Sequence, residues 1–106
     1  MSFRSPFPDV DIPALSVYDF LFGSIAESDL DRPALTEGTT GAVTDYRTLI
    51  GQIDAIAGAL AARGVGVGDV VGLLSPNVPA FAAVFHGILR AGATATTVNA
   101  LYTAED

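Results

Sequence analysis

The sequence predicts an α/β fold whose heart is a parallel strand–helix–strand unit. Three observations carry this. Tyr46, Leu49, Ile50, Ile53, Ala57 and Leu60 recur at helical spacing and form one apolar stripe. Val70, Val71, Gly72, Leu73 and Leu74 then run without polar alternation, as a strand buried on both faces does in a parallel sheet. Behind them stand an almost wholly apolar helix, residues 78–90, and a second strand, residues 93–98. A crossover of that kind is right-handed, with the helix packed on the sheet.

The elements follow in order. Residues 1–15 are punctuated by Pro6, Pro8 and Pro13 and read as an extended arm. Ser16 is an N-cap with Asp19 three residues on, and Val17, Phe20, Leu21 and Ile25 form the apolar stripe of a first helix. Its aromatics, Tyr18, Phe20 and Phe22, are expected to pack rather than bind. Residues 29–33 make a turn. Residues 34–37 and 42–44 flank a loop bearing Gly38 and Gly41, which predicts a β-hairpin. Asp45 or Thr44 caps the second helix. Gly64 and Val65 suit a Schellman ending in which Val65 touches Leu60. Asn77 is the expected N-cap of the third helix, with Pro79 in its first turn, Arg90 at its negative end and Gly92 as its stop. Thr103, followed by Glu105 and Asp106, reads as the start of a further helix, so the expectation is that the chain is cut short there.

Composition narrows the function. Half of the 106 residues are hydrophobic and only 16% are charged. A small domain leaves a large share of its surface exposed, so that apolar surplus calls for cover from a partner or from more chain. Net charge is −7, all five bases are arginines, and none cluster, which argues against nucleic-acid binding. With no cysteine, disulfides, thiolate chemistry and cysteine-zinc sites are excluded. No signal peptide is visible in the first residues. The longest apolar stretch, residues 78–89, is well short of the roughly 20 residues a membrane span needs. A cytoplasmic protein is the expectation.

Four places in the sequence invite chemistry. Gly64, Gly66 and Gly68 suggest a phosphate loop, but a dinucleotide fingerprint runs strand, glycines, helix, and here the order is helix, glycines, strand. Ser75 and Asn77 lie between a strand and a helix, where α/β folds place ligands, yet Pro76 follows Ser75 and no nucleophile elbow surrounds it, so capping is favoured. His86 sits alone in an apolar helix with no second ligand, so it reads as packed or interfacial. Tyr102, in the segment that follows the last strand, either contacts a substrate or packs. No catalytic, cofactor-binding or metal-binding residue is assigned.

The residues taken together resemble a known family. Asp45-Tyr46-Arg47-Thr48-Leu49 matches the T/S-Y-x-x-L segment of the adenylate-forming (AMP-binding) superfamily, and Leu89-Arg90-Ala91-Gly92-Ala93 matches its L-[KR]-A-G-A segment. Gly64-Val65, Gly68-Asp69-Val70-Val71-Gly72, Asn77 and residues 98–103 add to the likeness, which covers nearly everything from Ser16 on. It is strongest toward acyl-CoA synthetases, both fatty-acid–CoA ligases and coumarate–CoA-ligase-like enzymes. Asp45 departs from the usual Ser or Thr, and Ala100 stands where the family often has proline.

The resemblance implies the start of a large N-terminal domain: helix, β-hairpin, helix, then the parallel unit. Residues 1–15 would be an arm and residues 16–106 an incomplete N-terminal subdomain. The family's enzymes use ATP and Mg²⁺ to turn a carboxylic acid into an acyl-adenylate and then an acyl-CoA. The motifs for that chemistry lie further along than this chain reaches, and the chain has no lysine to match the family's catalytic one. The piece is therefore expected to bind no cofactor, to be inactive alone, and to need the remainder of the adenylation domain. The alternative is a small non-catalytic α/β interaction module, or a decayed gene fragment.

Overall fold

A computed structural model describes residues 3–104. The order is helix α1 (Val17–Phe22), a 3-10 turn (Glu27–Asp29), strands β1 (Pro33–Thr36) and β2 (Val43–Asp45), helix α2 (Tyr46–Ala62), strand β3 (Val70–Ser75), helix α3 (Pro79–Arg90) and strand β4 (Thr94–Asn99). β1 and β2 pair antiparallel, Leu35 opposite Thr44. β3 and β4 pair parallel in unbroken register, Val70 opposite Thr94 through Ser75 opposite Asn99. The hairpin, the crossover and the element order are those the sequence predicts, with the return strand one residue later. Residues 3–16 hold neither helix nor strand.

α2 forms for the reasons its sequence shows. Asp45 is its N-cap, and Oδ1 accepts from the Thr48 N–H at 2.7 Å. That donated hydrogen bond holds the Asp45 carboxyl below its ordinary range. Leu49, Ile53 and Ala57 of the stripe are buried. At the far end Gly64 takes φ +84°, the Val65 N–H reaches the Leu60 carbonyl at 3.0 Å, and the Gly64 N–H reaches that of Ala61. This is the complete Schellman pattern, and Leu60 and Val65 pack in one cluster. α3 ends the same way. Gly92 has φ +88°, and the N–H groups of Ala93 and Gly92 reach the Ile88 and Leu89 carbonyls.

α2 and α3 pack closely, and Gly87 is the reason they can. A Cβ there would lie 2.6 Å from Ile56 Cγ2. Two hydrophobic clusters share this helix pair. Tyr18, Leu49, Ile53 and Ala83 form the first, with Phe22, Ala34, Leu35 and Ile56 against it. Leu73, Ile88 and Ala93 form the second, with Val71, Val84 and Phe85 among its neighbours.

Three expectations need correction. α1 stops at Phe22, before Ile25, and Val17, Phe20 and Leu21 face outward. The face that docks carries Tyr18 and Phe22, because Tyr18 gains two polar partners there. Its hydroxyl donates to Asp54 Oδ1 at 3.1 Å, and the Arg90 guanidinium lies 4.1 Å from its ring centre. The predicted stripe instead lines a shallow apolar groove with Val10, Ile12, Pro13 and Leu15 of the arm. Second, β3 is not covered on both faces. Leu73 is buried against α3, whereas Val70 and Leu74 are 64% and 66% exposed. Third, the N-cap of α3 is Val78, not Asn77, and it makes no side-chain cap. A residue before proline is pushed to extended backbone, and Val78 sits at φ −124°, ψ 162°. α3 is covered on several sides, as its almost wholly apolar sequence leads one to expect, with Ala83, Gly87 and Ile88 buried. The helix start expected after Thr103 lies outside the described residues.

Candidate functional site

The parallel pair brings two loops together. β3 ends at Ser75 and β4 at Asn99, so the Ser75–Asn77 and Asn99–Leu101 segments lie side by side at the carboxyl edge of the sheet. With Phe81 and Thr97 they line an open depression of about 400 Å³. α/β folds place ligands at this edge. Next to it, the hairpin loop from Leu35 to Thr39 and the start of α3 line a second depression of about 350 Å³.

The polar groups at this edge are turned toward their own backbone. The Ser75 hydroxyl donates to the Pro76 carbonyl at 2.9 Å, with no base in the arrangement to activate it. Asn99 Oδ1 accepts from the Leu101 N–H at 2.9 Å, and the Asn99 carbonyl accepts from the Tyr102 N–H. Asn99 thus folds its own turn. Tyr102 points away from the core and is 63% exposed.

The glycine segment is a joint. Gly68 has φ +91° at the third position of a turn closed by the Asp69 N–H on the Gly66 carbonyl, which is the type II requirement. The Asp69 carboxylate accepts from the Gly66 N–H at 2.9 Å. A phosphate would meet a carboxylate on that donor and a strand, not a helix start, behind it. The glycine segment therefore does not fit a nucleotide's phosphates. Nor do the described residues group three acids or histidines where a metal ion could be held.

His86 is packed. Its ring meets Phe22 and Phe85 edge-on, each at 5.3 Å between centres, and Nδ1 is buried without a hydrogen-bond partner among the described residues. Burial lowers its pKa from the ordinary 6.5.

Two polar ties were not visible in the sequence. Arg90 closes on Tyr18, Asp54 and Asp19, joining α3 to α2 and α1. Burial, then the hydrogen bond to Asp54, raises the Tyr18 pKa. Arg47 pairs with Asp31 at 3.0 Å and Glu27 at 3.2 Å, and its N–H reaches the Leu30 carbonyl at 2.8 Å, pinning the 3-10 turn to the start of α2. Both arginines lie in the two segments that carry the family likeness, and both hold the fold together.

Comparison with known proteins agrees with that reading of the segments. The family model for AMP-binding enzymes matches residues 22–106. A 4-coumarate–CoA ligase of Oryza sativa subsp. japonica is 39% identical over 102 residues, covering 95% of this chain and 18% of the rice protein. Among solved structures, apo MatB from Rhodopseudomonas palustris superposes with a TM-score of 0.72 at 27% identity, over 81% of this chain and 16% of MatB. The anthranilate–CoA ligase AuaEII, solved with anthranoyl-AMP, gives 0.66 at 27% identity, over 73% and 14%. The chain thus spans about a fifth of the length of the curated relatives it matches.

Proposed function

This chain belongs to the AMP-binding enzyme family, and from that membership we propose that it is the N-terminal structural part of an ATP-dependent acyl-adenylating ligase. The whole enzyme joins a carboxylic or fatty acid to CoA through an acyl-adenylate, with ATP and Mg²⁺ held by residues outside this chain. Residues 1–15 are the arm and residues 16–106 the opening of the large N-terminal domain. The enzyme works in the cytoplasm.

The observation that carries this is the 39% identity to a coumarate–CoA ligase over 95% of the chain. The surface supports it. The accessible area is 7918 Å², against about 5600 Å² for a compact protein of 10.9 kDa. The radius of gyration, 16.9 Å, exceeds the roughly 13 Å of a compact chain of this length. Val70 and Leu74 of the sheet and Phe3, Phe7 and Ile12 of the arm are among the exposed apolar residues. The remainder of an adenylation domain is the partner that covers the sheet.

The test is a chimaera in which this chain replaces the matching segment of the rice ligase. It should fold and keep ATP–pyrophosphate exchange with coumarate, while the 106-residue chain alone gives none. A folded but inactive chimaera, or exchange by the chain alone, overturns the proposal.

A further inference from the structure

We infer that His86 is a pH-operated latch that releases α1, and the arm ahead of it, from α3 as the pH falls. The inference stands apart from the proposed activity and rests on how α1 is held. α1 has six residues, too few to be stable on its own packing-free backbone, so its place depends on what it docks against. Beside the Asp19–Arg90 pair and the packing of Tyr18 in the cluster with Ala83, two ring contacts hold it to α3. One is Phe22 against the His86 ring; the other is Tyr18 beneath Arg90.

The His86 contact tolerates only the neutral ring. Phe22 and Phe85 flank it, and Nδ1 is buried with nothing among the described residues to bond. A protonated imidazole must donate from both nitrogens. Nδ1 can do so only if water reaches it, and of the two rings against His86 only Phe22 belongs to another element and can leave with it.

The charges nearby do not relieve this. From α1 the ionisable groups are Tyr18 and Asp19, from α2 Asp54, and from α3 itself Arg90. β3 and β4 bring none. Both carboxylates already face Arg90, at 3.9 Å from Asp19 and 3.7 Å from Asp54. A second cation one helical turn before Arg90 meets its like charge.

The sign follows from linkage. The docked ring binds a proton less readily than a free one, for which the ordinary value is 6.5. The docked form is therefore fully favoured above that value and loses ground as pH falls below it, toward the lower pKa of the docked ring.

His86 is the sole histidine, so its imidazole resonances report on it without ambiguity. Titration by NMR should give a midpoint below 6.5. In parallel, cleavage within residues 3–22 by a broad-specificity protease is followed from about pH 7.5 to about pH 5.5, corrected with a free peptide of those residues. It should rise at least about threefold as the open population grows, and His86→Phe should abolish the rise. An imidazole midpoint at or above 6.5, a flat cleavage profile in the unaltered chain, or an equal rise in His86→Phe overturns the latch. Should His86→Phe fail to fold, the unaltered chain still decides: the imidazole and cleavage profiles must move over the same pH interval, and a mismatch overturns it.

Discussion

The two hydrophobic clusters that share the α2–α3 pair are finished to different degrees. Around Ile53, side chains from α1, β1, α2 and α3 converge, and the rim is sealed by Tyr18, Asp54 and Arg90. Around Ile88, the β3–β4 sheet supplies Leu73 and Val71 from one face and leaves Val70 and Leu74 outside. The difference teaches where the chain is self-sufficient. The first cluster closes with residues it already owns. The second has a floor of two strands whose far side is apolar and open.

The largest expected effect tests that contrast directly. Ile53 and Ile88 are both fully buried. Truncating a buried isoleucine to alanine costs about 2–5 kcal/mol, and the spread reflects how readily the surroundings collapse into the cavity. Ile53→Ala, boxed in by four elements, belongs at the upper end. Ile88→Ala, beside the one-sided sheet, belongs lower. Urea unfolding of both variants measures the order, and an Ile88→Ala loss equal to or above that of Ile53→Ala would break the comparison.

A smaller effect separates the two joints that feed the sheet. Gly64 and Gly92 hold nearly the same left-handed conformation and close the same hydrogen-bond pattern. An alanine in that conformation costs about 1–2 kcal/mol. At Gly64 nothing crowds the new Cβ, whereas at Gly92 it would come 3.2 Å from Val67 Cγ2. Val67 is exposed and can move, so Gly92→Ala should exceed Gly64→Ala only slightly, by a few tenths of a kcal/mol within that range. Thermal melts of the pair decide it; a Gly64→Ala loss near zero would mean that this joint is not held as described.

These joints were legible in the sequence because their signal is local. A glycine, an apolar residue after it and another four residues before it fix a Schellman ending without help from elsewhere. The α2 stripe was legible for a similar reason, since seventeen residues give several turns over which the period repeats. α1 was not. Six residues are under two turns, and Val17, Phe20 and Leu21 make as good a stripe as Tyr18 and Phe22. The choice was made by Asp54 and Arg90, far along the chain. The cap of α3 is not legible, because Asn77 has the better capping side chain while Pro79 sets the backbone of Val78. The candidate site was legible as a place, the carboxyl edge of a parallel pair. Its occupant was not, because Ser75 and Asn99 spend their polar atoms on their own turns.

β3 marks the boundary between what the sequence requires and what this chain supplies. Five residues without polar alternation ask for cover on both faces, and α3 covers one. Leu74→Thr therefore separates the chain from the enzyme proposed to contain it. In the chain alone, Leu74 is largely exposed, and threonine suits a strand, so stability should change by no more than about 0.5 kcal/mol. In the chimaera with the rice ligase, the same substitution buries a hydroxyl where a leucine packed, at a cost of about 1–3 kcal/mol, read as a lower melting temperature. Near-silence in the chain joined to a clear loss in the chimaera is the expected pair. Equal, negligible effects in both would show that the outer face stays bare, and that the apolar run in β3 answers to something other than the rest of an adenylation domain.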